Sequence, residues 1–257
     1  MPNPPRKAAR ILILGGTAEG RELAQSIADR FGEDVEIINS LAGRTETPGV
    51  LAGTVRIGGF DGADGLRSYL REQAIDLLID ATHPFATRIS HNAAAAADQA
   101  SVPRLMLIRP PWPRHPLDRW IEVGDVSDAA RILPRVGKRA FLTLGSAELS
   151  AFHALTDTFF LIRTVDEPKA RLPLADYQLM TGKGPFDLAM ERQILTHHRI
   201  DVVVSKASGG EATAAKLIAA REASLPVIMI TRPLPPAGER VDTVAEAVAW
   251  LAARLGL

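Results

Sequence analysis

Apolar side chains occur along this chain in short unbroken runs set between amphipathic stretches. Strands of a parallel sheet, buried on both faces, read as such runs, whereas an amphipathic helix repeats its apolar positions every three to four residues. The runs predict strands over 11–14, 35–39, 77–80, 104–108, 140–144, 159–164, 177–180, 202–205 and 227–230. Helical periodicity predicts helices over 18–31, 64–73, 92–100, 126–133 and 147–154, then one ending near 198, then 211–223 and 243–255. Strand and helix alternate almost throughout, which indicates an α/β protein built on parallel sheets.

The alternation is duplicated. Gly15-Gly16-Thr17-Ala18-Glu19-Gly20, directly after the first run, returns about half a chain later as Leu144-Gly145-Ser146-Ala147-Glu148. Ile75-Asp76 before a strand returns as Ile200-Asp201, and Ser101-x-Pro103-x-x-Met106-x-x-Arg109-Pro110 returns as Ser224-x-Pro226-x-x-Met229-x-x-Arg232-Pro233. Three matches in the same order indicate one α/β unit used twice. Between them, residues 110–116 hold four prolines with Trp112 and His115, a stretch that continues neither a helix nor a central strand. A domain boundary is expected there, with residues 1–112 as one domain and 113–257 as the other.

Composition narrows the function classes. The 257 residues carry 30 basic and 30 acidic side chains, so no global field favours a nucleic-acid backbone or an anionic membrane, and any anion must be bound locally. No cysteine is present, which excludes disulfides and thiolate metal sites and suits a reducing compartment. The first apolar run is too short for a signal-peptide core, and no stretch reaches the roughly 20 apolar residues that span a bilayer. A cytoplasmic protein is expected.

Candidate chemistry gathers at the carboxyl ends of the predicted strands, where open parallel sheets bind their ligands. Gly15-Gly16-Thr17-Ala18-Glu19-Gly20 has the outline of a dinucleotide-binding turn, with Thr17 where the fingerprint has its middle glycine. The helix that follows presents unpaired N–H groups to a phosphate. About twenty residues on, an NAD-binding protein carries Asp or Glu for the ribose 2′-hydroxyl. This chain has Asn39-Ser40-Leu41-Ala42-Gly43-Arg44 instead, so Ser40 and Arg44 favour a 2′-phosphate and hence NADPH. Gly59, in the Gly58-Gly59-Phe60 turn beyond a further strand-like stretch, brings another backbone turn to the cofactor. His83, in Asp80-Ala81-Thr82-His83-Pro84-Phe85-Ala86, either faces the nicotinamide or ribose, where it is a candidate catalytic acid or base, or serves only the turn.

In the second half, the turn at Gly145-Ser146 lacks the extra glycines, and dinucleotide binding is expected to be lost there. Lys206-Ala207-Ser208-Gly209-Gly210, followed by Thr213 and Lys216, sets backbone donors, hydroxyls and two cations around one helix start. That suits a carboxylate or phosphate; a polar cap with solvated lysines is the alternative. Lys183 and Arg163 face either the ligand or water. The chain has no P-loop, no H-E-x-x-H and no G-x-S-x-G. Neither Tyr69 nor Tyr177 has a lysine four residues on, which disfavours a short-chain dehydrogenase. A Rossmann-like methyltransferase would want an acid at the end of strand two, and an NADP-binding sensor would share only the first half's chemistry.

The segments ILILGGTAEG, IDATHPFA at 79–86, GPF at 184–186 and KASGG followed by Lys216 resemble the precorrin-6A reductase family of cobalamin biosynthesis, over nearly the whole chain. The resemblance implies two Rossmann-like domains that use NADPH to reduce one double bond of a tetrapyrrole macrocycle, with cobalt absent or present in the ring. It implies that the turn 15–20, including Thr17 and Glu19, together with Ser40, Arg44 and Gly59, holds NADPH, and that His83 holds the nicotinamide end. Lys183, Lys206, Ser208, Gly209, Thr213 and Lys216 would address the carboxylates of the tetrapyrrole from the second domain. Hydride would pass to C19 and a proton to C18, the proton from Lys206 or water.

Overall fold

The computed structural model describes residues 8–43, 50–168 and 170–256. In chain order the elements are β1 (Ala9–Leu14), α1 (Ala18–Phe31), β2 (Val35–Leu41), β3 (Thr54–Ile57), α2 (Gly62–Glu72), β4 (Leu77–Asp80), α3 (Thr87–Ala100) and β5 (Arg104–Leu107). There follow β6 (Arg119–Val123), α4 (Val126–Val136), β7 (Arg139–Thr143), β8 (Phe159–Thr164), β9 (Asp176–Thr181), α5 (Leu188–His197), β10 (Val202–Lys206), α6 (Ala215–Glu222) and β11 (Pro226–Ile230). The chain closes with β12 (Glu239–Val241) and α7 (Val244–Leu255).

Two six-stranded sheets result, ordered β12-β5-β4-β1-β2-β3 and β6-β11-β10-β7-β8-β9. Every pairing is parallel. Each sheet has the doubly wound order in which strand succession reverses beside the first strand, and the crevice at that reversal is where such sheets bind ligands. The expected duplicated α/β architecture with Rossmann-like parallel sheets is what the chain adopts.

The sixth strands are exchanged between the halves. β6 follows β5 along the chain but pairs with β11, from Pro226↔Arg119 to Ile230↔Val123. β12 follows β11 but pairs with β5, from Glu239↔Leu105 to Val241↔Leu107. The compact units are accordingly Met1–Pro110 with Pro233–Leu257, and Pro111–Arg232. This corrects the expectation that residues 113–257 form the second domain, because the C-terminal strand and helix complete the first. Both crossings fall at an Arg-Pro of the repeat, Arg109-Pro110 and Arg232-Pro233.

Packing follows the two-residue alternation of the strands. On one face of the first sheet Ile11, Ile13, Ile37, Ile79 and Leu105 meet Leu23 and Ile27 of α1 and Ala247, Leu251 and Leu255 of α7. On the other, Leu12, Leu14, Ile38 and Leu78 meet Leu66 and Leu70 of α2 and the alanines Ala93, Ala96 and Ala97 of α3. Burying each leucine or isoleucine contributes about 1.5–3 kcal/mol. In the second unit Phe141, Leu161, Val203 and Met229 pack on Leu195 of α5 and Leu217 and Ala220 of α6.

Two predicted helices differ. The segment expected over 147–154 is a 3-10 helix at Ser146–Phe152, and the one expected over 211–223 begins as a short 3-10 turn, Glu211–Thr213, before α6. Neither start has an N-cap side chain bonded to the helix amides, as Thr17 supplies for α1.

Candidate active site

Three strand ends of the first unit are tied together at the reversal. The Gly15 N–H donates to the Ser40 carbonyl (3.0 Å) and the Ala81 N–H to the Leu14 carbonyl (2.9 Å), linking the ends of β1, β2 and β4. The Thr17 hydroxyl donates to the Ala81 carbonyl (2.8 Å) and accepts from the Gly20 N–H (3.0 Å), so one side chain both caps α1 and fixes it to β4. Gly16 has φ +110°, a conformation open to glycine. A Cβ on Gly20 would lie 3.3 Å from Thr17 Oγ1 and 3.4 Å from Ala81 Cβ, so helix and strand pack closely there and an added methyl would press on the capping hydroxyl. With the Gly20 N–H capped by Thr17, the amides of Ala18 and Glu19 have no acceptor inside the helix and are oriented as phosphate donors. This backbone cradle fits a dinucleotide.

Glu19 does not stand alone there. Its carboxylate pairs with Arg109 at 2.8 Å, so the helix start carries a neutralised pair rather than a bare anion. Ser40 is buried at the end of β2, and its Oγ accepts from Arg56 Nη1 at 3.3 Å. The Gly58 N–H bonds the Leu41 carbonyl (2.9 Å), which sets the turn carrying Gly59 beside the same strand end. Arg44 lies outside the described residues.

At the end of β4, Asp80 is 1% exposed. Its Oδ1 accepts from the Thr82 N–H (3.1 Å) and Thr82 hydroxyl (2.7 Å), the latter 3.3 Å from the Ser90 hydroxyl. Oδ2 has no partner among the described residues. These bonds fix the turn bearing His83. The Phe85 N–H donates to His83 Nδ1 at 3.2 Å, so that ring nitrogen serves the turn as an acceptor.

In the second unit Glu148 Oε2 accepts from the Gly145 N–H (3.1 Å), so this turn binds one of the protein's own carboxylates. The other oxygen of Glu148 pairs with Lys206. Beyond Lys206 the loop turns through Gly209 (φ +68°) and Gly210 (φ +84°). Arg232 holds it from below, Nε to the Ala207 carbonyl (2.6 Å) and Nη2 to the Ser208 carbonyl (2.9 Å), and Trp112 Nε1 donates to the Gly210 carbonyl (2.7 Å). Lys216 is buried. Its Nζ donates to the Thr213 carbonyl (2.7 Å) and lies 4.8 Å from the Trp112 ring centroid, so it acts within the loop's support. The exposed Lys183 belongs to a turn seated on the same loop, since the Phe186 N–H bonds the Ala212 carbonyl (3.1 Å).

The structure therefore gathers Gly15, Gly16, Thr17, Ala18, Glu19, Gly20, Ser40, Gly59 and His83 at one sheet edge of the first unit. It gathers Lys183, Lys206, Ser208, Gly209, Thr213 and Lys216 in the second. Sequence reasoning missed Arg56, Asp80 and Trp112. It met Arg109 and Arg232 only as marks of the repeat; their recurrence after equivalent strands was the available signal. Among the described residues no three His, Asp or Glu side chains converge as metal ligands, and no helix is long and apolar enough to cross a membrane.

A family model described as Precorrin-6x reductase CbiJ/CobK matches residues 10–252. A precorrin-6A reductase of Rhodococcus erythropolis is 49% identical over 243 residues, 94% of this chain and 97% of the relative. The one from Mycobacterium tuberculosis (strain CDC 1551 / Oshkosh) is 44% identical over 244 residues, 95% and 97% of the two chains. A solved structure titled CobK precorrin-6A reductase superposes with TM-score 0.89 at 41% identity, covering 96% of this chain and 97% of its own.

Proposed function

The chain belongs to the CbiJ/CobK precorrin-6x reductase family, and on that premise we propose that it reduces precorrin-6A to precorrin-6B in cobalamin biosynthesis, with NADPH as reductant. One double bond of the macrocycle takes up two electrons and two hydrogens, as hydride at C19 and a proton at C18. NADPH supplies the hydride when bound.

The observation that carries the cofactor assignment is the strand-end cradle of the first unit beside a β2 terminus without a carboxylate. Gly16, Thr17 and Gly20 shape the approach, the amides of Ala18 and Glu19 face the diphosphate, and Arg109 offsets the Glu19 charge there. Ser40, with Arg44 on the segment that follows, favours a phosphorylated ribose over a free 2′-hydroxyl. His83, on the turn fixed by Asp80 and by its own Nδ1 bond from the Phe85 N–H, sits at the nicotinamide end. The second unit takes the macrocycle's carboxylates on Lys206, Ser208 and Gly209 and on Lys183, while Thr213 and Lys216 keep that loop in shape. Lys206, held by Glu148, or a water delivers the C18 proton. A conjugated macrocycle is already electrophilic, so holding donor and acceptor atoms about 3–3.5 Å apart supplies much of the acceleration.

The test is a turnover assay of the purified chain with precorrin-6A and NADPH carrying deuterium at the transferable position. Loss of the reduced-nicotinamide absorbance with label at C19 is expected. A folded protein that binds NADPH but leaves precorrin-6A unchanged would favour the sensor reading instead.

A further inference from the structure

Arg56 is paired in register with Ser40 across β2 and β3, at the nucleotide edge of the first unit. Its Nη1 donates to Ser40 Oγ at 3.3 Å and to the Gly58 carbonyl at 2.7 Å, and its Nη2 donates to the Gly59 carbonyl. The guanidinium carbon lies 3.8 Å from the centroid of the Phe60 ring and 5.2 Å from that of Tyr69. Phe60 is buried and meets Tyr69 edge-on at 5.2 Å, so the aromatic floor is itself fixed.

A solvated surface arginine needs none of these contacts. Here an arginine that is only partly covered has its rotamer set by three acceptors and an aromatic face. In its bonds to the described residues, Nε–H and one Nη2–H are not engaged. Beside it is the one hydroxyl at the end of β2, and no carboxylate stands among residues 35–43 beyond Glu36 at the strand's far end.

Resting on the reading that the first unit holds NADPH, we infer that Arg56 is a specificity-determining residue that recognises the 2′-phosphate together with Ser40. A pre-ordered planar fork loses little freedom when it binds a phosphate, and its permanent charge discriminates a dianion from a hydroxyl. Lysine, a point charge on a flexible stem, cannot keep the Gly58 and Gly59 carbonyls and the phosphate together.

The experiment is equilibrium titration of the full-length protein, wild type, Arg56→Ala and Arg56→Lys, with NADPH, NADH, adenosine 2′,5′-bisphosphate and 5′-AMP. Arg56→Ala should weaken NADPH and the bisphosphate roughly 10- to 100-fold while NADH and 5′-AMP change by no more than about threefold. Arg56→Lys should fall between, and carries the same comparison should the alanine variant not fold. Equal losses for phosphorylated and unphosphorylated ligands would overturn the inference, leaving Arg56 as a mere support of the 58–60 turn. So would an unchanged NADPH-to-NADH ratio in both variants. A wild-type chain that binds no NADPH would instead overturn the cofactor reading, and this inference with it; the wild-type titration separates the two failures.

Discussion

Arg163 shows what one side chain decides inside the second unit. From its strand it could have faced a ligand or water; it is instead buried, 2.5 Å from Glu191, with the Phe186 and Phe141 rings 3.7 and 4.9 Å from its guanidinium. It thereby ties the turn bearing Lys183 to the sheet. Removing one member of a buried pair leaves the other charge uncompensated, at about 3–5 kcal/mol. Arg163→Ala should lower the unfolding free energy in urea by that order, and Arg163→Met combined with Glu191→Leu should restore most of it. A second residue sets a pH response. Burial lowers the pKa of His198 below 6.5, with His197 and Arg139 adding to the effect. The unfolded chain therefore takes up this proton first, and stability declines as pH falls below 6.5. His198→Gln should flatten the dependence of the urea midpoint between about pH 8 and pH 5. The glycines of the first turn and Ser40 were legible because backbone freedom and a missing carboxylate are local properties. The burial of Lys216 and the place of Arg56 were not: a lysine buried over Trp112 and an arginine stacked on Phe60 exist only once distant segments meet.

At the scale of elements, the buried strands were legible nearly to the residue, because an apolar run in a doubly covered sheet has little else to become. β6 and β12 escaped. Their sequences, Arg-Trp-Ile-Glu-Val and Glu-Arg-Val, are short and mostly exposed, as edge strands are, and no alternation or apolar run marks them. The helices expected over 147–154 and 211–223 were read from periodicity, which does not separate a 3-10 turn from an α-helical one. α2 offers a direct test of element packing. A Cβ on Gly65 would lie 1.7 Å from the Phe60 carbonyl oxygen, so the helix can lie against that turn only through glycine. Gly65→Ala should cost about 2 kcal/mol or more, as overpacking does, and should also weaken NADPH by displacing the Phe60 floor. Thermal unfolding and nucleotide titration of the same variant check both parts.

For the whole molecule, the repeat revealed two sheets but not their exchange of edges, because similarity between halves records descent and not which strand pairs with which. A chain ended at residue 112, where composition places the boundary, lacks β12 and α7. Leu105, Leu107, Leu23 and Ile27 then lose the cover of Ala247, Leu251 and Leu255. That fragment should remain unfolded by circular dichroism, whereas residues 1–110 joined by a short linker to 233–257 should melt cooperatively. The same architecture orders events during synthesis. Pro111–Arg232 is continuous and is complete once its last strand emerges, while the unit begun first waits for Glu239–Val241. Until then β5 presents a bare row of N–H and C=O groups, which is a template for another nascent chain. A pause in synthesis before Glu239–Val241 emerges therefore exposes the older half of the polypeptide, not the newer, to aggregation.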